Sequence, residues 1–228
     1  MKATTEFNPA YTLLTVHLDS GEAIKVEPGG MAAQQGVEMK TGFTGGGIFG
    51  GLRRLLASES FFVNTFTAER NGGWVSIAPT TPGDIASFEL EPGRSLFVQG
   101  GSFLACDTNV QLDTKFQGFR GFLSGESLFF LRAFTERSPG TIFYNAYGGI
   151  KEIEMSGGEE LVVDTGHVVA FTDDVEYTIG KVGGLVSLMA GGEGLVMKFR
   201  GRGRVWIQTR TIPTLAQALI PFLPKPNK

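Results

Sequence analysis

Cysteine and histidine are nearly missing from this chain: one cysteine, Cys106, and two histidines, His17 and His167, among 228 residues. A single cysteine excludes an intrachain disulfide framework and fits a reducing compartment, so a cytoplasmic location is expected. A metal site of the double-stranded β-helix kind needs clustered imidazoles and carboxylates, and two histidines supply few. His17 falls on the polar phase of an alternating run and is expected to face solvent, whereas His167 sits beside a glycine turn. They read as surface or turn residues rather than ligands, and a Ser-His-Asp triad is equally unsupported. An excess of one charge is lacking too: the net charge is −3 with mixed signs, so no polyanion-binding surplus exists. No stretch approaches the roughly 18 apolar residues of a spanning helix. The opening MKATTEFNPAY has no apolar core of signal-peptide length and is not Arg-rich like a transit peptide.

What the chain does have is glycine, at 33 residues, and phenylalanine, at 19. Glycines scattered between short β-branched and aromatic runs mean many turns and many short strands. Three stretches also resemble one another: 13–33, 85–105 and 150–170. Each opens with an apolar run (Leu13, Val16, Leu18; Ile85, Phe88, Leu90; Ile150, Ile153, Met155) and turns at Gly21, Gly93 or Gly158. Each then places a short apolar strand before a second glycine, Gly29, Gly101 or Gly166, and ends on alanine. Two further anchors follow in the same order. One is an acid-small-apolar step at Glu59, Glu126 and Glu193, evenly spaced; the other is a glycine opening an apolar strand at Gly73, Gly140 and Gly203. Such self-similarity is the signature of a repeat architecture. The reading is one compact unit over 1–228, built of three β repeats at about 12–80, 84–147 and 149–211, with a helix and tail over 212–228.

Alternation supports the strands: in Leu14-Thr15-Val16-His17-Leu18 the apolar residues keep period two, one face to a core and one to solvent. Glycines at matching turns imply backbone at positive φ or no room for a Cβ. Each repeat yields about five or six short antiparallel strands. In the tail, Pro213 precedes a helix over 214–220, Thr214 is its expected cap, Pro221 ends it, and Leu215 and Leu219 share one face. The last residues, 224–228, are expected to fray.

Three segments invite a chemical reading. Gly45-x-Gly47-x-x-Gly50 matches a dinucleotide fingerprint, but no buried strand precedes it and the helical stretch after it is too short for a βαβ crossover. It reads as a surface loop. Within Gly45–Leu56, Ile48, Phe49, Leu52 and Leu55 beside Arg53 and Arg54 offer a docking site for a protein partner or membrane surface. Glu59, Glu126 and Glu193 are either a threefold binding site or, in the preferred reading, structural acceptors of backbone N–H bonds or arginine partners. Lys198, Arg200, Arg202 and Arg204 beside Phe199 and Trp206 form a local basic stripe. An alternating hairpin with a solvated charged face explains it as well, and nucleic-acid binding is not expected. No catalytic, cofactor-binding or metal-ligating residue is assigned.

The string Gly191-Gly192-Glu193-Gly194-Leu195-Val196, with Phe199-x-Gly201-x-Gly203-Arg204-Val205-Trp206-Ile207-Gln208-Thr209-Arg210, resembles the C-terminal signature of the AIM24 family. Val163–Ala170, Gly100–Ala105 and the glycine loop with Arg53 and Arg54 match as well, so the resemblance spans about 5–212. The family's Gly-Glu-Gly step is Ser58-Glu59-Ser60 and Gly125-Glu126-Ser127 in the first two copies. The resemblance implies an all-β chain of three tandem units like the tryptophan-RNA-binding attenuation protein, a short relative of the double-stranded β-helix. Three chains would then close a ring of nine units. Eukaryotic relatives are linked to mitochondrial inner-membrane organisation, and no catalytic residues carry over. The function expected is a non-enzymatic, homotrimeric scaffold, peripheral to a membrane or a complex assembly. The alternative is a ring-shaped binding protein for a small molecule, peptide or RNA.

Overall fold

The computed structural model describes residues 1–43, 62–113, 129–181 and 195–224. Those residues form strands β1 (Lys2–Glu6), β2 (Leu13–Leu18), β3 (Ala23–Val26), β4 (Met31–Gln35), β5 (Val37–Phe43) and β6 (Phe62–Ala68). There follow β7 (Gly73–Ile77), β8 (Ile85–Leu90), β9 (Ser95–Gln99), β10 (Phe103–Asp107), β11 (Gln111–Asp113) and β12 (Phe130–Phe134). The remainder are β13 (Gly140–Asn145), β14 (Ile150–Ser156), β15 (Leu161–Asp164), β16 (Val168–Thr172), β17 (Val175–Lys181) and β18 (Leu195–Gln208), with helix α1 (Ile212–Leu219) after them. Among the described residues the protein is therefore all-β with one short C-terminal helix. The dinucleotide-like loop, the docking loop Gly45–Leu56, Glu59, Glu126, Glu193 and the tail beyond Pro224 lie outside the described residues.

Pairing is antiparallel throughout the named strands, and one bonding pattern recurs. β2 and β4 flank β7, while β3 and β5 flank β6. β8 and β10 flank β13, while β9 and β11 flank β12. β14 and β16 pair with the second half of β18, while β15 and β17 pair with its first half. β18 thus serves two ladders, exchanging partners around Gly201 and Gly203. The register of β4, β10 and β16 slips once each, between Met31 and Ala33, Phe103 and Ala105, and Val168 and Ala170. A slip of this kind is a β-bulge, which bends the strand and raises its twist. Two ladders cross between the groups: β3 with β10, and β9 with β16.

Burial follows the alternation. In β2, Leu14, Val16 and Leu18 are buried and His17 is exposed, as its polar phase implies. The core is three clusters that interlock. Leu104 and Ala105 of β10 pack into the first with Leu14, Ile24 and Phe66. Val169 and Ala170 of β16 pack into the second with Leu96, Val98 and Tyr144. The third holds Phe130, Phe171, Met197 and Phe199. Each such buried Leu, Ile, Val, Met or Phe side chain stabilises the fold by about 1.5–3 kcal/mol.

Turn chemistry is split. Gly21, Gly93 and Gly158 adopt φ of +78°, +82° and +91°, a region that disfavours any Cβ. Gly101 and Gly166 instead occupy 3₁₀ turns, Gly100–Ser102 and Thr165–His167. The helix also departs from expectation. Its cap is Thr211, whose hydroxyl accepts the Thr214 N–H at 3.3 Å, not Thr214. Pro213 lies in the first turn, where a missing N–H costs nothing, so the helix starts earlier than its proline suggests.

Candidate functional site

The two 3₁₀ turns, the ends of β13 and β18 and the start of α1 enclose a cleft of about 380 Å³. Its lining sets amides and hydroxyls from Gln99, Ser102, Asn145, Thr165, Gln208 and Thr211 among apolar Leu195, Ile212 and Pro213. Gln99 Oε1 accepts the Gly101 N–H at 2.8 Å, and Asp164 Oδ1 accepts the Gly166 N–H at 2.9 Å, so each residue caps its own turn. Gln208 ties the sides together. Its Oε1 accepts the Tyr147 N–H at 2.9 Å and its Nε2 donates to the Gly166 carbonyl at 2.8 Å. Asn145 is 3% exposed, and its Oδ1 has no hydrogen-bond partner among the described residues. Sequence reasoning did not single out Asn145 or Gln208. Both are amides placed equally far beyond Gly140, which opens β13, and Gly203, which the sequence reads as a strand opener but which lies inside β18 because that strand already begins at Leu195; the shared spacing is a legible signal.

The imidazoles lie apart. His17 is exposed on β2, paired across the sheet with Trp74, and His167 is in the second 3₁₀ turn. His167 Nδ1 lies 2.6 Å from the Gln208 carbonyl oxygen, so that nitrogen carries the proton and donates. Among the described residues, no three His, Cys, Asp or Glu side chains gather as a metal ligand set. Cys106 is fully buried, and burial pushes its thiol up to about 12, which keeps it in the unreactive thiol form.

The basic stripe is partly neutralised by the protein itself. Arg200 bonds Glu160 at 2.7 Å, and Lys198 lies 3.5 Å from the same carboxylate. These contacts hold the Glu160 carboxyl below its ordinary range. Arg204 lies over the rings of Phe88, at 4.8 Å, and Trp206, at 5.4 Å, and 3.6 Å from Glu152. Trp206 Nε1 donates to Glu152 Oε2 at 2.9 Å. Stacking and pairing of this kind fix a guanidinium in place on its own sheet.

Glu27 takes the place in β3's exit turn that Gln99 and Asp164 take in theirs. Burial pushes its carboxyl up to about 7. The folded state therefore binds a proton that the unfolded chain releases near 4.5, so Glu27 lowers stability as pH rises from that value through 7. We expect Glu27→Gln to be more stable than the parent by roughly 2 kcal/mol at pH 8, after discounting for partial exposure. That gain should vanish below the unfolded-state value. Urea midpoints at the two pH values check it, and equal midpoints at pH 8 would show a well-hydrated carboxylate.

Among the described residues no helix is long and apolar enough to cross a membrane. Fold and site together define an all-β protein with recurrent strand ladders, interlocked cores and a neutral cleft of mixed apolar and amide lining. The chain belongs to the AIM24 family: the family model described as "Mitochondrial biogenesis AIM24" matches residues 5–210. An uncharacterised protein of Streptococcus pyogenes serotype M6 is 28% identical over 232 residues, covering 98% of this chain and 92% of that protein. The crystal structure of a Streptococcus pyogenes protein superposes with a TM-score of 0.78 at 28% identity, covering 97% of this chain and 99% of that one.

Proposed function

We propose that the chain is a non-enzymatic scaffold that closes with two further copies into a homotrimeric ring, each copy contributing three attenuation-protein-like units. The observation that carries this reading is the register of the two crossing ladders. In the first, Ala105 faces Val26, Cys106 faces Lys25 and Asp107 faces Ile24. In the second, Ala170 faces Val98, Phe171 faces Phe97 and Thr172 faces Leu96. These are the same repeat positions both times. One further step of the rule sets Ala33 opposite Val163, Gln34 opposite Val162 and Gln35 opposite Leu161. In this chain β4 pairs only with β7, and β15 only with β18, so each keeps an open edge among the described residues. β4 is exposed along its whole length, and Val162 on β15 is 48% exposed. Open edges of this length are templates for pairing with another chain. β15 of one copy fits β4 of the next.

The register makes the test specific. Gln34→Cys combined with Val162→Cys places thiols on facing positions of the new ladder, within the separation a disulfide spans. Mild oxidation should give chains covalently linked up to threes and no higher, while light scattering gives about three times the 24.5 kDa chain mass. A clean monomer at micromolar concentration would sink the reading.

A second reading, a ring-shaped binder of a small molecule, has its own support in the cleft and in the unpartnered Asn145 Oδ1. Buried amide groups left unpaired favour a ligand that supplies donors. Native mass spectrometry showing a co-purified small molecule, lost in Asn145→Leu, would favour this over a purely architectural role.

A further inference from the structure

No charged side chain lines the cleft between the two 3₁₀ turns, among the described residues. Leu195, Ile212 and Pro213 supply apolar surface beside its amides and hydroxyls. An ion taken in there would find no counter-charge, so phosphates, carboxylates and amines are poor occupants. At about 380 Å³ the cleft has the room of roughly a dozen waters, which suits one ring with a short substituent.

Most of the polar lining is already engaged by the protein. Gln208 uses both ends of its amide, on the Tyr147 N–H and the Gly166 carbonyl. Thr211 Oγ1 meets the Thr214 hydroxyl and accepts the Thr214 N–H. Gln99 Oε1 accepts the Gly101 N–H, and the Ser102 hydroxyl donates to the same oxygen at 3.5 Å. Those bonds fix which end of the Gln99 amide is oxygen and leave Nε2 as a donor with no partner among the described residues. Asn145 is 3% exposed, and its Oδ1 accepts no hydrogen bond there either. A buried acceptor without a donor destabilises the fold until something supplies one. Nor does the strand require an amide at that place: the residue equally far beyond Gly73 is Ala78. The hydroxyls of Thr81, Tyr147 and Thr165 also line the cleft, but a hydroxyl serves as donor or acceptor and so selects neither.

We propose that the cleft takes a small uncharged molecule bearing a carboxamide or lactam. Its N–H donates to Asn145 Oδ1, its carbonyl accepts from Gln99 Nε2, and its apolar body lies against Leu195, Ile212 and Pro213. This rests on the reading of the cleft as a small-molecule site and names the class of molecule. An amide offers donor and acceptor side by side without charge, which matches the two open groups. A ketone of the same shape would leave Asn145 Oδ1 without a donor, and a carboxylate would bring in an unpaired charge. Every lining residue belongs to one chain, so the site does not depend on ring closure through β4 and β15.

Ligand-observed NMR titrations of the full chain with three probes of one shape test it: benzamide, acetophenone and benzoate. Benzamide should bind at least about tenfold more tightly than acetophenone, which lacks only the N–H donor. Benzoate should not bind. Asn145→Leu keeps the volume and removes the acceptor. It should lower benzamide affinity about tenfold, to the level of acetophenone, with the melting temperature no lower than the parent's. Benzamide binding no tighter than acetophenone overturns the proposal while leaving a small-molecule cleft standing, and so does undiminished benzamide binding by Asn145→Leu. Benzoate binding as tightly as benzamide overturns the uncharged class. Silence from all three probes overturns both the proposal and the reading beneath it. Should Asn145→Leu not fold, the three probes on the parent chain decide the matter.

Discussion

Phe171→Ala should destabilise this protein by about 3–5 kcal/mol, the cost of emptying a fully packed aromatic site. Phe171 is completely buried at the centre of the third cluster. Its ring lies 5.1 Å from those of Phe97, Phe130 and Tyr177 and 5.4 Å from that of Phe199. The Phe130 contact is edge-to-face and the Phe97 contact stacked, arrangements that add to simple burial. Its backbone also stands in two ladders, opposite Phe97 of β9 and Val205 of β18. One truncation therefore loosens the contact between the second and third groups of strands as well as the core. Against a typical total stability of 5–15 kcal/mol, the melting temperature should fall on the order of 10 °C. Phe171→Leu, which keeps most of the volume, should cost roughly 1–2 kcal/mol. Thermal melts followed by near-ultraviolet circular dichroism measure both. A melting temperature unmoved in Phe171→Ala would mean that the five rings do not pack as described.

Gly83→Ala should cost about 2–4 kcal/mol, through backbone collision alone. A Cβ at Gly83 would run into the Ala146 carbonyl oxygen and stand 2.6 Å from Gly148 N and 2.7 Å from Gly148 O. Neither wall is free to give. Gly148 N–H donates to the Pro82 carbonyl at 3.0 Å, Asp84 N–H donates to the Gly148 carbonyl at 2.8 Å, and Ala146 N–H donates to the Asp84 carbonyl at 3.0 Å. The connection also holds the N-terminal segment, since Asp84 Oδ1 accepts from the Thr12 hydroxyl at 3.1 Å. Gly21→Ala provides the contrast. Gly21 is at φ +78° with open space around its missing Cβ, so only the left-handed backbone is penalised, at about 1–2 kcal/mol. Denaturant midpoints of the two variants separate collision from conformational strain. A milder effect at Gly83 than at Gly21 would contradict the close approach.

Much of the fold was legible in the sequence because strand burial has period two. Leu14, Val16 and Leu18 announce their face without any knowledge of partners, and the glycines at 21, 93 and 158 announce their turns. The site was less so. Glu152 reads as one more polar residue on an alternating strand, yet it receives the Trp206 indole N–H and lies near Arg204. Nothing local marks that pairing, because its members come from β14 and β18, which are far apart in the chain. Arg200 and Lys198 look like a free basic stripe until Glu160, contributed by the turn before β15, is folded against them. Glu27 resembles any turn carboxylate, and only burial around β3 moves its proton affinity.

The sequence by itself determined the all-β class, the family and the buried face of alternating strands such as β2, since these depend on residue type, alternation and spacing. The tertiary structure alone decided which strand edges meet. A backbone edge is chemically the same on every strand, so nothing in β3, β4, β9 or β15 states its neighbour. The bulges beside Ala33, Ala105 and Ala170, and the close approach of Gly83 to Gly148, accompany the bends that bring β10 to β3 and β16 to β9 and, among the described residues, leave one edge of β4 and of β15 unpaired. Those are long-range geometric outcomes of packing, and they are where the assembly proposed for this protein begins.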